Sequence, residues 1–482
     1  MGKSTIRPCE EFILQIMETN PQTFRPQSLS ICMIVKNEER LLARCLESCR
    51  GVADEIVIND TGSTDATIEI ARSHGARVIV SEWKNDFSYS RNISLRRASR
   101  AWILWLDADD VVPLQSIPII NDLKKSGPDK VFGFVVRNQK PGNTGTEFVQ
   151  ARMFPNDPRI CFERRIHEQM MLSALRIGLK LVPTQAVVEH HGYADPEALT
   201  KKALRNIELL LEEYKLSVPD PVMAVEIADS YLISGNDIEA LQWYRTVLEI
   251  PHCEAAFPHI AAQAYLGWGN ILNKANDFEN AAEKLHKALA LSPGRADALF
   301  SLAVALDLQD RKEEALERLK RIVSAQAAPL TVGVDFREAK IKSFLRMERL
   351  LYDLDKSGET MALAHQALGE FRHRPEIQNM AGRIFLRNDK LMDALHAFER
   401  SLQIDTAHNV DAYIGLCKVY LKAGKSETAA QTMESIRPLF EKFPRYWAFY
   451  KILYGAIPAG VVPDLVDIKE VDKEIGYLGR IF

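Results

Sequence analysis

No stretch of the 482-residue chain runs for about eighteen uncharged apolar residues, the length a bilayer core demands, so no transmembrane helix is expected. Charge of one sign is scarce too. The formal net charge is −4, which implies neither nucleic acid nor an anionic membrane surface as a partner. Seven cysteines, odd in number and irregular in spacing, make no disulfide framework. Cys45 and Cys49 stand four apart, but no second Cys or His pair completes a zinc set. The thiols read as reduced and packed as small apolar groups. No G-x-G-x-x-G follows the first strand-like run, and no G-x-x-x-x-G-K-[ST] occurs at all. That argues against a dinucleotide-type Rossmann domain and a P-loop ATPase. The segment from Met1 to Gln27 has a helix-like patch, Glu10 to Glu18, but lacks the uninterrupted apolar core of a signal peptide. Ile6 spoils the myristoylation pattern that Met1-Gly2 opens. The cytoplasm is the expected location.

What is there is organised around Ala101-Trp-Ile-Leu-Trp-Leu-Asp107-Ala-Asp109-Asp110. Its apolar residues read as a strand buried on both faces, and three carboxylates follow where that strand ends. Open α/β sheets bind ligands beyond the carboxyl ends of their strands. Carboxylates clustered there repel one another unless a cation sits between them, and hard oxygen ligands suit Mg²⁺ or Mn²⁺. Such an ion serves to hold a diphosphate and to neutralise it as it leaves.

Three more strands precede this one. Leu29 to Val35 leads into Lys36-Asn37-Glu38-Glu39 and a helix through about Ser48. Glu55 to Asn59 runs into Asp60-Thr-Gly-Ser-Thr-Asp65, where Gly62 permits a tight turn, and Arg77 to Val80 follows. The alternation predicts a parallel sheet with helices on both sides. Glu38 and Asp60, at two strand ends, are acceptors suited to ribose hydroxyls and a base N–H. The loop from Trp83 through Asp86 to Arg91 and Asn92 adds a cation and amides. Each has a plainer alternative: Asp60 and Asp65 as turn caps, Glu38 as a solvated helix start, Arg91 bridging a surface carboxylate, Trp83 as core. Val131 to Arg137 and Phe148 to Phe154 predict a hairpin through Lys140-Pro-Gly-Asn-Thr-Gly.

In their order and spacing, CMIVKNEE, DEIVINDTGSTD, WKNDFSYSRN and WILWLDADD resemble the family 2 glycosyltransferases of the GT-A fold, over roughly residues 28 to 195. Within that family the chain most resembles the branch that joins such a domain to tetratricopeptide repeats, the peptide S-glycosyltransferases of the sublancin type. The resemblance implies an α/β GT-A domain with a Rossmann-like mixed sheet, then an all-α tetratricopeptide-repeat solenoid. It implies an inverting, metal-dependent transfer from a nucleotide-diphosphate sugar, most often a UDP-sugar, with Mg²⁺ or Mn²⁺. By carry-over, Asp60 contacts the base and Glu38 the ribose. Val35, Asp86, Arg91 and Ala108 complete the donor-binding set. Asp107 and Asp109 form the DXD motif, Asp109 being the more direct metal ligand.

An inverting transfer needs a base on the acceptor side. Glu168 is expected in that role, because it follows the acceptor-facing strands and the resembling branch carries a His-Glu here; His167 is the fallback. The plainer alternative is a Glu168 salt-bridged to Arg164 or Arg165. The HxGY stretch implies that His190 meets the metal or the diphosphate. His191 suits this less, since neighbours on a strand face opposite sides. Arg152 either neutralises phosphate or pairs with an acid.

From about Pro196 strand-like runs give way to helices. Tyr265-Leu-Gly-Trp268-Gly269, then Ala281, Leu285, Ala288 and Pro293, match the tetratricopeptide spacing, whose period is about 34 residues. Small residues are needed at Gly269 and Ala281, where the two helices cross. Related copies place Ala228, Tyr231 and Ala240 before it and Ala303 and Ala315 after it. Gly382, Phe385, Ala394 and Phe398 fit another, as do Tyr413, Tyr420, Gly424 and Ala429. Between Ser324 and Pro375 the register is poor and reads as a degenerate repeat.

The expected organisation is an N-terminal extension (1–27), the transferase domain (28–195), a linker helix (196–220), the repeats (221–442) and a capping segment (443–482) bearing Trp447, Tyr450 and Tyr454. The expected partners are a nucleotide-sugar donor and a peptide or protein acceptor on the solenoid's concave face. Self-association through the repeats into a homodimer is the competing use of that surface. A lipid or polysaccharide acceptor, or an inactive repeat scaffold, is the runner-up. Processive relatives carry membrane helices and a Q-x-x-R-W stretch, and this chain has neither.

Overall fold

The computed structural model describes residues 27–138, 147–191, 196–216, 219–325, 335–405 and 409–441. The helix-like patch Glu10 to Glu18, the turn Lys140 to Gly145 and the capping segment from Pro444 lie outside the described residues.

Apolar runs of four to nine residues, broken by polar turns, make the strands of the front half. In order these are β1 (Leu29–Val35), α1 (Leu42–Ser48), β2 (Glu55–Asp60), α2 (Thr67–Ser73), β3 (Arg77–Val80), α3 (Phe87–Leu95) and β4 (Trp102–Trp105). Next come β5 (Asp110–Val111), α4 (Ser116–Leu123), β6 (Lys130–Asn138), β7 (Glu147–Pro155), α5 (Met171–Arg176) and β8 (Lys180–His190). The eight strands form one sheet in the order β3-β2-β1-β4-β7-β6-β8-β5.

The expected parallel arrangement holds for β3-β2-β1-β4. Beyond β4 the sheet is mixed. β6 and β7 pair antiparallel as the predicted hairpin, and β7 inserts antiparallel beside β4. Because side chains alternate along a strand, both faces of the sheet are buried. Ile31, Met33, Trp102 and Leu104 pack into one core, and Cys32, Val57, Ile103, Trp105 and Phe162 into the other. Each large side chain so buried contributes about 1.5–3 kcal/mol, which fixes the end of β4 firmly in place.

The rest is helical: α6 (Pro196–Leu216), α7 (Pro221–Ile233), α8 (Asp237–Glu249), α9 (Cys253–Ala256), α10 (Pro258–Lys274), α11 (Phe278–Leu291) and α12 (Ala296–Leu308). There follow α13 (Lys312–Ser324), α14 (Phe336–Asp353), α15 (Thr360–Phe371), α16 (Pro375–Arg387), α17 (Leu391–Ile404), α18 (Val410–Lys422) and α19 (Ser426–Glu441). The chain divides into two compact units, residues 1–309 with 325–338, and residues 310–324 with 339–482.

In the first unit the small residues stand where helices cross. Ala228, Ala240, Ala281 and Ala303 are fully buried, and a Cβ on Gly269 would lie 2.7 Å from Leu285. In the second unit the Phe398 ring sits against Gly382 and Gly415. The interval with poor repeat register contains the helix pair α14 and α15, joined by an edge-to-face contact of Phe344 with Phe371. α14 runs for 18 residues against 13 in α16. Among the described residues no helix is long and apolar enough to cross a membrane.

Candidate active site

The chain turns sharply as β4 ends. Asp110 N–H donates to the Asp107 carbonyl (3.1 Å), and Asp107 N–H donates to Asp110 Oδ2 (2.8 Å). The short strand β5 then pairs with the last residues of β8 and sets Asp110 opposite His190. His190 Nδ1 lies 2.9 Å from Asp110 Oδ1 and 3.3 Å from Asp109 Oδ1. Ligating atoms of Asp107, Asp109, Asp110 and His190 all fall within 4.8 Å of one another. Three oxygens and an imidazole so gathered are a donor set that fits Mg²⁺ or Mn²⁺.

These groups do different work. Asp110 is fully buried and committed: Arg152 Nη1 donates to it at 2.8 Å, and the Arg152 guanidinium lies 3.8 Å from the Trp105 ring centre. Arg152 thus pairs with an acid. Burial opposes the charge on Asp107, but Arg91 and Arg152 outweigh it and hold its carboxyl well below the usual range. Asp109 has no such cation. Burial, with Asp107 and Asp110 alongside and despite His190, pushes it up to about 6. Burial also works against the His190 imidazolium, yet Asp110, Asp109 and Asp107 together raise its pKa above the ordinary value. The ring of His191 is turned to Arg44, 2.6 Å away.

A second element meets this cluster through Arg91 on α3. Its Nη2 donates to Asp107 (2.8 Å) and its Nε to Glu168 (2.5 Å), while its guanidinium stacks over Trp105 and Phe162. Neither Arg164 nor Arg165 takes Glu168. Arg164 pairs with Asp220 (2.7 Å), the N-cap of α7. Arg165 N–H donates to Glu213 of α6 (3.0 Å), and its side chain reaches Glu212 (3.4 Å). The Glu168 loop is closed at its base by Glu163 and Gln169, which exchange backbone hydrogen bonds of 3.1 and 3.0 Å. Within it Arg164 and His167 hold φ values of 76° and 51°, a region that side chains rarely adopt. Such strain persists only where the surroundings impose it. Here Ile166 is clamped among Leu209, Leu210, Met223 and Ile227. His167 Nδ1 lies 3.9 Å from Glu226, and burial lowers its pKa.

The strand ends nearer the sheet edge form a cradle. Asp60 is buried; its Oδ1 accepts from Gly62 and Ser63 N–H at 2.9 and 2.8 Å, and its Oδ2 is buried with no hydrogen-bond partner among the described residues. Gly62 takes φ 104°, which the turn requires. Glu38 N–H donates to Thr67 Oγ1 (2.7 Å), and its carboxyl is pushed up to about 7 by burial, then by Asp109, Asp107 and Asp65, against the pull of Lys202. The Val35 carbonyl accepts from Thr61, and Ala108 is buried beneath the acidic turn. Asp65 caps its own turn through Thr67, and Asp86 caps α3 through Tyr89 N–H (2.8 Å). Trp83 rests edge-on against Phe87.

Sequence reasoning overlooked Asp110 as the organiser of the cluster, because the DXD pattern singles out the other two acids. It also gave no role to Lys202 or Glu226. Their places follow from how α6 and α7 pack, which no local motif records.

These features define an α/β domain with an acidic cluster at its strand ends, followed by helical repeats, and the comparisons give its class. Residues 30–176 match the model "Glycosyl transferase family 2", and 272–330 and 385–452 match a tetratricopeptide repeat model. The chain therefore carries a family 2 glycosyltransferase domain joined to tetratricopeptide repeats. It is 30% identical over 229 residues to a TPR repeat-containing protein of Synechococcus elongatus, covering 46% of this chain and 56% of that one. It is 28% identical over 217 residues to the SPbeta prophage-derived glycosyltransferase SunS of Bacillus subtilis, covering 44% and 51%. The chain thus spans about half the length of the curated relatives it matches. A solved structure, "YrrB: a TPR protein with an unusual peptide-binding site", aligns over 43% of this chain and 98% of its own, with 17% identity and a TM-score of 0.33.

Proposed function

We propose that this protein is an inverting glycosyltransferase that moves a sugar from a nucleotide diphosphate, by default UDP, to a Ser, Thr or Cys side chain of a polypeptide held by the repeats. The observation that carries this reading is Arg91, which joins Asp107 on the donor side to Glu168 on the acceptor side. One guanidinium thereby fixes the base relative to the leaving group's site.

In this reading the unpartnered Oδ2 of Asp60 accepts a base N–H, Glu38 accepts from the ribose, and the Val35 and Ala108 backbone shapes the cradle between them. Asp107, Asp109 and His190 would hold Mg²⁺ or Mn²⁺, whose charge neutralises the departing diphosphate. Asp110, already bound to Arg152 and the Asp107 amide, keeps the acidic turn in shape. Glu168 takes the proton from the acceptor hydroxyl or thiol. That oxygen or sulfur attacks the anomeric carbon from the face opposite the diphosphate, the C1–O bond breaks, and its electron pair leaves on the phosphate oxygen. No enzyme nucleophile is needed.

The test incubates the full chain with a panel of UDP-, GDP-, ADP- and TDP-sugars and Mn²⁺, together with a lysate of peptides and proteins. Nucleoside diphosphate release and the mass of labelled acceptors are followed. Release matched by a sugar-mass gain on a polypeptide, abolished by Asp109→Ala, is expected. Transfer only to lipid or glycan would move the acceptor to the runner-up class, and release that survives Asp109→Ala would refute the assigned site.

A further inference from the structure

α3 meets the acceptor-side loop at several points along one face. At the loop's entry Asn92 Nδ2 donates to the Phe162 carbonyl, and Asn92 Oδ1 accepts the Phe162 N–H, both at 2.9 Å. This carboxamide, expected from the sequence near the nucleotide, is paired instead with backbone. It offers a donor and an acceptor side by side, as a neighbouring strand would. One turn earlier on the helix, Ser88 Oγ donates to the Arg164 carbonyl and Phe87 N–H donates to that of Arg165 (2.8 Å). Arg91 Nε meets Glu168 itself. Ser88, Arg91 and Asn92 stand three and four positions apart and so share a face. Asn59, buried near the end of β2, registers the helix against the sheet by donating from Nδ2 to the Ser90 carbonyl (3.0 Å).

We infer that Asn92 is a positioning residue for the acceptor-side base: by fixing Phe162 it sets where Glu168 stands relative to Asp107. The inference rests on the transferase reading above and adds a residue that belongs to neither the donor set nor the metal set.

Two observations make Phe162 the point through which Asn92 acts. Its backbone leads directly into Glu163, whose paired hydrogen bonds with Gln169 close the loop, so an anchor on one leg holds both. Its ring walls the Arg91 guanidinium, 5.5 Å from the ring centre, and packs edge-on against Trp105 at 5.6 Å. Without the carboxamide, the Phe162 N–H and carbonyl lose their partner, the loop entry shifts, and Arg91 loses a wall on the side that faces Glu168. Asp107 stays where the acidic turn holds it, through its bonds with Asp110. The base therefore moves while the donor site does not. A displacement of about 1 Å between reacting groups costs about a hundredfold in rate.

The experiment follows transfer by the full chain from the UDP-, GDP-, ADP- and TDP-sugar panel with Mn²⁺ and the polypeptide lysate, using the donor that wild type turns over fastest. Asn92→Ala is expected to lower kcat by about ten- to a hundredfold with donor KM within about twofold. Asn92→Asp, which keeps the bond from the Phe162 N–H but sets a carboxylate against the Phe162 carbonyl, is expected to do the same. It carries the test if Asn92→Ala does not fold. Added to Glu168→Gln, either change lowers kcat by less than about threefold further, because residues that act as one unit are not additive. An unchanged kcat, a matching rise in donor KM, or a full further loss on top of Glu168→Gln overturns the role of Asn92 and leaves the transferase reading intact. If wild type transfers no sugar from the panel, the transferase reading falls and this inference with it.

Discussion

Asp109 and Asp110 are adjacent in sequence but should answer mutation in opposite ways. Asp110 is fully buried and accepts from Arg152, from the Asp107 amide and from His190. In Asp110→Ala, Arg152 loses its directly bonded carboxylate and keeps the Trp105 carbonyl at 3.3 Å, the Trp105 ring and the nearby charge of Asp107. Stranding a buried charge in this way costs about 3–5 kcal/mol, and orphaning the Asp107 amide adds about 1 kcal/mol or more. Relief of repulsion among the remaining carboxylates offsets about 3 kcal/mol at most, taking a separation of roughly 5 Å and an effective dielectric near 20. A net loss of about 1–3 kcal/mol or more remains.

Asp109→Ala removes instead a half-buried carboxyl pushed up to about 6, a charge the fold tolerates poorly, so metal-free stability stays level or rises. What it loses is the gain from metal, about 2.7 kcal/mol for wild type when the free ion is a hundredfold above Kd. Hydrogen exchange of the β4 amides against urea, in EDTA and in Mn²⁺, measures both quantities locally. An Asp110→Ala protein as stable as wild type in EDTA would refute the assignment of Asp110 as organiser. So would an equal fall for Asp109→Ala.

Glu168→Gln should lower kcat by about a hundredfold or more while donor affinity stays within about twofold, since the amide cannot take a proton yet still accepts from Arg91; parallel losses of both would count against a base. Glu226 is pushed up to about 8 from its ordinary 4.5 by burial, reinforced by Asp220, Asp229 and Glu213 and opposed by Arg164. Its folded pKa lies above the unfolded one, so its stabilising share is complete below about 4.5 and lost as pH rises through about 8. Glu226→Gln should therefore match wild type in urea near pH 4 and exceed it by a few kcal/mol at pH 9, whereas a pH-independent difference would contradict that shift. Gly382→Ala brings a Cβ to 2.7 Å from the Phe398 ring, so loss of about 1–3 kcal/mol from the second unit is expected by thermal unfolding.

Much of the fold is legible residue by residue. Leu29–Val35 and Arg77–Val80 are bounded by polar turns on both sides, and the strands keep those limits. The end of β4 is equally plain, because a doubly buried strand has no use for three acids except at its mouth. The repeats declare themselves through small residues that steric contact enforces, as at Gly269 against Leu285. Other features are settled only by tertiary packing. The hairpin β6–β7 could be read, but not its insertion between β4 and β8, since either strand edge would satisfy the same pattern. The partner of Glu168 is likewise unreadable: Arg164 and Arg165 are neighbours in sequence, yet Asp220 and Glu212 take their side chains and leave Glu168 to Arg91, 77 positions upstream. His190 could be favoured over His191 by strand alternation alone, and the two rings do turn to different partners, Asp110 and Arg44.

The loop that bears Glu168 is tethered on two sides: to α7 and α6 through Asp220 and Glu213, and to α3 through Ser88, the Phe87 N–H and Arg91. A protein severed between β8 and α6 would accordingly keep its nucleotide cradle and the Arg91 contact but lose one of the two anchors of the acceptor-side loop. Grafting the front half onto foreign repeats would fail for the same reason unless Glu213 and Asp220 travelled with it. The seam between sheet and solenoid is itself a working part.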